Sequence, residues 1–297
     1  MAQFAPSAQQ GLAGINRILK HIMKLLSLAI LRVAAAALSL SLLPSSSSAA
    51  DPNPMTMSAR DLSGSLSALQ EGTSYVRLRL EVKQPGDTVK VVLQLQIKKR
   101  RTKAVTDVVY QVLWPKERKG EAFLLHQTDG SPAAGWLFIP PDKLRPLKAS
   151  QMSDTLFASD LSYEDVIENF FGWKNQAIVG NEVLNRVNCL ILESKPATSE
   201  VSSYARVRSW IDPQRLVPLR VEKYLPSGQL ARRIDTTRVA PDDKGRPIPA
   251  DLTVRGLQGD SVTDLDGSRI RHEVVYTDRE FTPEGLAEVQ APSSSSE

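Results

Sequence analysis

The feature that most narrows what this chain can fold into is a period-two alternation of apolar and polar residues that returns run after run. Over Tyr75–Val82 it places Val76, Leu78, Leu80 and Val82 on one side and Arg77, Arg79 and Glu81 on the other. Val89–Ile97 repeats it, with Val91, Leu93, Leu95 and Ile97 set against Gln94 and Gln96. Successive side chains of an extended strand point to opposite faces, so these runs read as strands with one buried face. The same rhythm marks Val108–Trp114, Ala122–His126, Gly135–Ile139, Val183–Glu193, Tyr204–Ile211, Leu219–Leu225, Gln229–Val239, Ala250–Gly256 and Ser268–Tyr276. Turn-forming residues separate them, among them Pro85-Gly86-Asp87, Asp129-Gly130, Asp212-Pro213, Pro226-Ser227-Gly228 and Asp266-Gly267. About eleven strands at hairpin spacing predict a mainly β protein, an antiparallel sheet closed as a barrel or strongly curved as a half-barrel. Strands and helices do not alternate, which argues against an open nucleotide-binding sheet.

Two segments break the rhythm. Leu62, Leu66 and Leu69 suggest a short amphipathic helix despite Gly64. In Asp160–Phe171, Ser162 followed by Asp165 forms a weak capping box. Tyr163, Val166, Ile167, Phe170 and Phe171 then fall at helical spacing and predict one apolar stripe, with Glu164, Asp165, Glu168 and Asn169 opposite.

Residues 23–50 have the order of a secretory signal: Met23-Lys24, an apolar run ending at Leu43, then serines and Ala49-Ala50 before Asp51. Arg32 interrupts the stretch that would otherwise approach a membrane span. The expected organisation is a leader over 1–50, with translation starting at Met1 or Met23, one β domain over 51–290 and a disordered serine-rich tail over 291–297. The formal charge of +4 resides in the leader, which holds Arg17, Lys20, Lys24 and Arg32 and no acid. Setting those four aside from 37 basic and 33 acidic residues leaves 33 of each. The remainder is neutral, so nucleic acid is not an expected partner.

The search for chemistry excludes more than it finds. One cysteine, Cys189, and three histidines, His21, His126 and His272, leave no disulfide framework and no basis for a thiolate or multi-histidine metal centre. Nucleophile-elbow, phosphate-loop, dinucleotide and zinc-protease motifs are absent. The acids of 160–168 are accounted for by the first turns of a helix, where carboxylates are favoured. The run Lys98-Lys99-Arg100-Arg101 with Lys103 reads as a solvated hairpin tip, the alternative being contact with acidic lipid headgroups or a partner. No cofactor, no metal and no enzymatic activity are expected. What remains is concavity: a curved sheet lined by Leu78, Leu80, Leu93, Leu95, Trp136 and Phe138, covered by Tyr163, Val166, Ile167, Phe170 and Phe171, would make a container for acyl chains, or else simply a core.

The segment Gly135-Trp-Leu-Phe-Ile-Pro-Pro-Asp-Lys-Leu-Arg-Pro-Leu-Lys-Ala-Ser150, followed by Ser153-Asp-Thr-Leu-Phe157 and Ala158-Ser-Asp-Leu-Ser-Tyr-Glu-Asp165, resembles the outer membrane lipoprotein-sorting proteins, relatives of the periplasmic carrier LolA. Trp210-Ile-Asp-Pro213, Pro218–Glu222 and Tyr224 with Ser227-Gly228 are similar to later strands of that family. The resemblance covers most of residues 75–282. It implies a half-barrel with a helical lid over a hydrophobic cavity, a periplasmic location and a chaperone-like transport role. Lipoprotein or lipid cargo is implied, with an inner-membrane transporter or an outer-membrane acceptor as partner and a monomeric state. A sensor or accessory subunit serving a membrane partner remains an alternative with the same shape. In the carrier an arginine locks the lid; Arg77, Arg79, Arg206, Arg208 and Arg220 are candidates here, although strand alternation points them away from the apolar face.

Overall fold

Thirteen strands hydrogen-bond into one open antiparallel sheet in a computed structural model that describes residues 56–86, 88–256 and 261–288. The leader and cleavage site expected within 1–50 and the tail expected at 291–297 lie outside the described residues. In chain order the elements are helix α1 (Ala59–Ala68), then β1 (Gly72–Gln84), β2 (Thr88–Arg101), β3 (Val105–Trp114), β4 (Ala122–Thr128), β5 (Ala134–Ile139) and β6 (Lys143–Leu147). A short helix α2 (Tyr163–Ile167) follows, then β7 (Asn175–Leu184), β8 (Val187–Lys195), β9 (Arg206–Asp212), β10 (Val217–Tyr224), β11 (Leu230–Pro241), β12 (Pro247–Gly256) and β13 (Val262–His272).

The strand order is β6-β5-β4-β3-β2-β1-β13-β12-β11-β10-β9-β8-β7. Two meanders of hairpins therefore meet at the centre, where the first strand pairs with the last, Val76 opposite Ile270 and Leu80 opposite Leu265. One connection is not a hairpin: residues 148–174 leave one edge at β6 and arrive at the other edge at β7, carrying α2 with them. At the central seam a bulge between Arg77 and Leu78 shifts the register. Gly267 lies opposite Leu78, and a Cβ there would stand 2.4 Å from the Ala250 carbonyl oxygen. Bulges and close backbone approaches of this kind bend a sheet.

The two strands not foreseen from the sequence are the edges, β6 and β7. An edge strand has one paired side and few buried side chains, so Lys143–Leu147 and Asn175–Leu184 lack the apolar alternation. The expected strand Val183–Glu193 is present from Val187 onward as β8, but its first residues are the end of β7 and a hairpin turn. Asn185 and Arg186 both adopt left-handed φ, 52° and 68°, as a tight hairpin turn requires, and β8 begins at Val187.

The alternation delivers two faces. On the inner face Leu80, Val82, Leu93, Leu95, Ile97, Val108, Val112, Phe123, Leu125 and Leu137 form one buried cluster. Leu190, Leu192 and Ile211 of β8 and β9 form a second with Leu62 and Leu66 of α1. On the outer face the C-terminal segment lies across β3–β5, where Phe281 and Leu286 cover Val109, Leu124 and Phe138.

Candidate functional site

The inner face of β1–β5 is a trough, and the crossover segment fills it. Its first part enters through Leu156, fully buried, then Phe157 and Ala158, which both hold positive φ (50° and 61°). For residues other than glycine this conformation is strained by roughly 1 kcal/mol or more each. Ser162 then caps α2: its Oγ accepts from the Asp165 backbone N–H at 3.3 Å, and its own N–H donates to Asp165 Oδ2 at 2.8 Å. The expected capping box is therefore present. Tyr163 meets Phe123 edge-on at 5.0 Å between ring centroids, Phe123 stacks on Tyr110 at 4.8 Å, and Ile167 is buried against the leucine rows.

The expected apolar stripe is divided. The helix ends at Glu168, whose ψ of 138° is extended, and Phe170 and Phe171 fall in a separate 3-10 turn. Tyr163, Val166 and Ile167 cover the β1–β5 trough, whereas Phe171 packs with Leu62, Leu66 and Leu190, and Phe170 reaches Trp173 and Val207. The lid thus bears on both halves of the sheet. Of the expected wall residues, Leu78, Leu80, Leu93 and Leu95 lie together under the lid. Trp136 and Phe138 do not join them. Leu137 takes the inner position in β5, so its two neighbours face outward beneath Phe281.

Polar groups tie the lid to the sheet. Asp165, with no exposed side-chain surface, pairs with Lys223 Nζ at 3.0 Å, accepts from the Tyr204 hydroxyl at 2.8 Å and lies 3.4 Å from Arg232 Nε, an ion pair without a hydrogen bond. Lys223, 1% exposed, also reaches Glu168 Oε2 at 3.2 Å, and the Ser202 hydroxyl donates to Glu168 at 2.5 Å. Burial alone would raise the Asp165 carboxyl, but Lys223, the Ser162 N–H and Arg232 outweigh it and hold it below the usual range. For Glu168 burial wins over Lys223 and pushes the carboxyl up to about 7. Burial acts to lower Lys223, yet the two carboxylates raise it, so it stays charged. On the other flank Arg101 donates to the Ile167 carbonyl at 2.7 Å, closing the C-terminal end of α2, and to Thr106 Oγ1 at 3.0 Å and the Gln70 side chain. Asp160 accepts from Ser261 and Thr263 hydroxyls, both at 2.7 Å.

Of these lid-holding residues of the sheet only Arg101 stands out in the sequence, and there as part of a basic run, yet each carries a further signal. Arg101 continues the inward row of Leu93, Leu95 and Ile97, Lys223 follows Val221, and Arg232 precedes Ile234. A cation on the apolar parity of a strand marks an interior polar partner. The five arginines considered from the sequence are engaged elsewhere: Arg77 with the Tyr75 hydroxyl, Arg79 with Glu81, Arg206 over the Tyr224 ring, Arg208 with Glu193 and Arg220 with Asp235. The basic run is not a solvated tip, for Lys98–Arg101 lies within β2 and both Lys98 and Arg101 are buried. His126 meets Asp107 at 2.6 Å. His272 stands 3.0 Å from Asp242, with Asp243 alongside, but Asp242 is already engaged by the Lys244 and Arg246 backbone N–H groups and the Arg246 side chain, as a turn requires. Openings remain beside the lid. One of about 430 Å³ lies between α1, Arg101 and Glu168, and one of about 270 Å³ lies between Met152, Ile167 and Ser202.

The same fold occurs in solved structures. A DUF1329 family protein from Desulfovibrio piger matches with a TM-score of 0.70 at 20% identity, over 77% of this chain and 97% of its own. A domain assigned to outer membrane lipoprotein sorting from Vibrio parahaemolyticus matches at 0.69 and 18%, over 80% and 100%. A LolA superfamily protein from Nitrosomonas europaea matches at 0.61 and 17%, over 76% and 98%. No curated protein matches the chain in sequence. A family model described as "Uncharacterized protein" matches residues 105–288, a span running from β3 through the lid to the C-terminal segment. The chain belongs to that family, and its fold is that of the LolA-type lipoprotein-sorting proteins.

Proposed function

We propose that the chain is a soluble periplasmic carrier that takes up acyl chains of lipoproteins or other lipids beneath its lid and passes them toward the outer membrane. The observation that carries this reading is the construction of the lid. A five-residue helix, supplied by the single crossover, plugs an apolar trough and is held to the sheet by polar ties at Asp165, Glu168 and Ile167. Polar ties exchange readily with water once a ligand pries them apart, whereas the leucine rows below cannot be hydrated without loss. An acyl chain replacing Leu156, Tyr163 and Ile167 keeps the trough dry and gains about 0.8 kcal/mol for each methylene buried. Leu78, Leu80, Leu93 and Leu95 form the wall in this reading, and Val166, Phe170 and Phe171 move with the lid. A donor in the inner membrane and an acceptor in the outer membrane are the partners it implies.

The test is native mass spectrometry of the chain exported with its own leader and purified gently from the periplasm. Lipid adducts on the wild type that vanish in Ile167→Glu, with an unchanged far-UV spectrum, are expected. A bare mass that persists after incubation with phospholipids and lipoproteins would overturn the reading and make the trough a plain core.

A further inference from the structure

The run Lys98–Arg101 divides by strand parity into two unlike pairs. Lys98 and Arg100 face outward and are matched by acids: Arg100 pairs with Asp107 at 2.9 Å and Asp278 at 2.7 Å, and Glu280 and Glu288 lie near Lys98. Lys99 and Arg101 face inward. The register from Leu95 to Arg101 is unbroken against both β1 and β3, so Lys99 stands in the row of Leu95 and Ile97, with Val108 of the buried cluster opposite. Among the described residues no carboxylate pairs with either inward cation. Arg101 donates to a carbonyl, an amide and a hydroxyl, all neutral. Glu71 and Glu168 share a cavity with Arg101 without forming an ion pair to it, and Asp165 and Glu168 are engaged by Lys223. Two cations two residues apart, half-buried and buried, disfavour each other and lack a counter-charge. Burial and Arg101 together pull the Lys99 ammonium down to about 7. An arrangement of this kind is costly unless an anion completes it.

Resting on the carrier reading above, we propose that Lys99 and Arg101 form the headgroup end of the trough, so that the cargo is an amphiphile with an anionic head, a carboxylate or a phosphate, and not a neutral acyl chain. The geometry suits such a ligand. From Lys99 to Leu93 the strand runs about 20 Å, polar at one end and apolar along the rest, which orients a chain with its head at Lys99. A charge-assisted bond to the ammonium then fixes that orientation.

The experiment compares two probes of one shape, cis-parinaric acid and its methyl ester, by fluorescence titration of the wild type, Lys99→Met and Lys99→Arg. The wild type is expected to favour the acid by about tenfold, Lys99→Met to bind both equally with ester affinity unchanged, and Lys99→Arg to keep the preference. Competition by phosphatidylglycerol against dioleoylglycerol separates the sources: displacement by the phospholipid in preference to the diacylglycerol assigns the head to a lipid phosphate, and equal displacement with the acid preference intact assigns it to a carboxylate. Equal binding of acid and ester by the wild type, or an acid preference that survives in Lys99→Met, overturns the headgroup assignment while leaving the carrier reading in place. Binding of neither probe overturns the carrier reading and this one with it.

Discussion

Three buried or half-buried charges decide how the site responds to pH. Glu168 has its folded-state carboxyl raised to about 7 from an ordinary 4.5. A group raised on folding binds its proton more tightly in the folded chain, so its contribution is full below about 4.5 and is lost as pH climbs through about 7. Asp165 is depressed and acts oppositely, losing its contribution only at acid pH well below the range of Glu168. Denaturation midpoints of Glu168→Gln should therefore depend less on pH than those of the wild type between about pH 5 and 8, with Asp165 silent over that range. Lys99 makes a separate forecast. Lowered to about 7, it is cationic at pH 6 and largely neutral at pH 8.5. Affinity for phosphatidylglycerol, whose own charge is constant over that range, should fall with rising pH in the wild type and stay level in Lys99→Met, as measured by competitive titration.

Among the elements, the lid is the one whose stability is set by few contacts. Five residues are too short to persist as a helix unaided, so the Ser162 cap, the Arg101 bond to the Ile167 carbonyl and the aromatic contact to Phe123 hold it in place on the sheet. Ser162→Ala should cost about 1 kcal/mol and speed amide exchange across Tyr163–Glu168, while the amides of β1 and β2 keep their protection. How much of this was legible in the sequence follows one physical line. Strands buried on one face carried their own pattern, and the Ser162–Asp165 box announced the start of α2. The edge strands β6 and β7 were silent because little of them is buried, and the stop at Glu168 was hidden because a helical stripe runs through Phe171 without interruption in the letters. In Gly135–Ile139 both strand parities are apolar, Trp136 and Phe138 on one and Leu137 and Ile139 on the other, so the letters do not tell which lines the trough; only the outer cover of Phe281 and Leu286 explains why Trp136 and Phe138 face away from it. The basic run is plain in the letters, but that Lys99 and Arg101 turn inward is not, because a run of like charges at the end of an apolar alternation reads as a solvated hairpin tip.

At the scale of the molecule, hairpins make each half and the β1–β13 ladder joins them, so the crossover contributes a plug and not the connection that holds the sheet together. A chain cleaved once between Ser150 and Phe157 should elute as a single folded species by size-exclusion chromatography, its two fragments held by that central ladder, and should retain lipid poorly. Separation of the fragments without denaturant would show that the ladder alone is insufficient.

The central ladder also sets an order of assembly. Val76 and Ile270 are neighbours in space yet lie on the order of 190 residues apart along the chain, a closure whose entropy must be met before its contacts repay it. Each meander can form from near neighbours, but the first strand waits for the last. Until β13 arrives, β1 has a bare margin and the inner face is only half bounded. In a partly made or C-terminally shortened chain the two meanders therefore stay unjoined, and the full inner face arises in one step with completion of the fold.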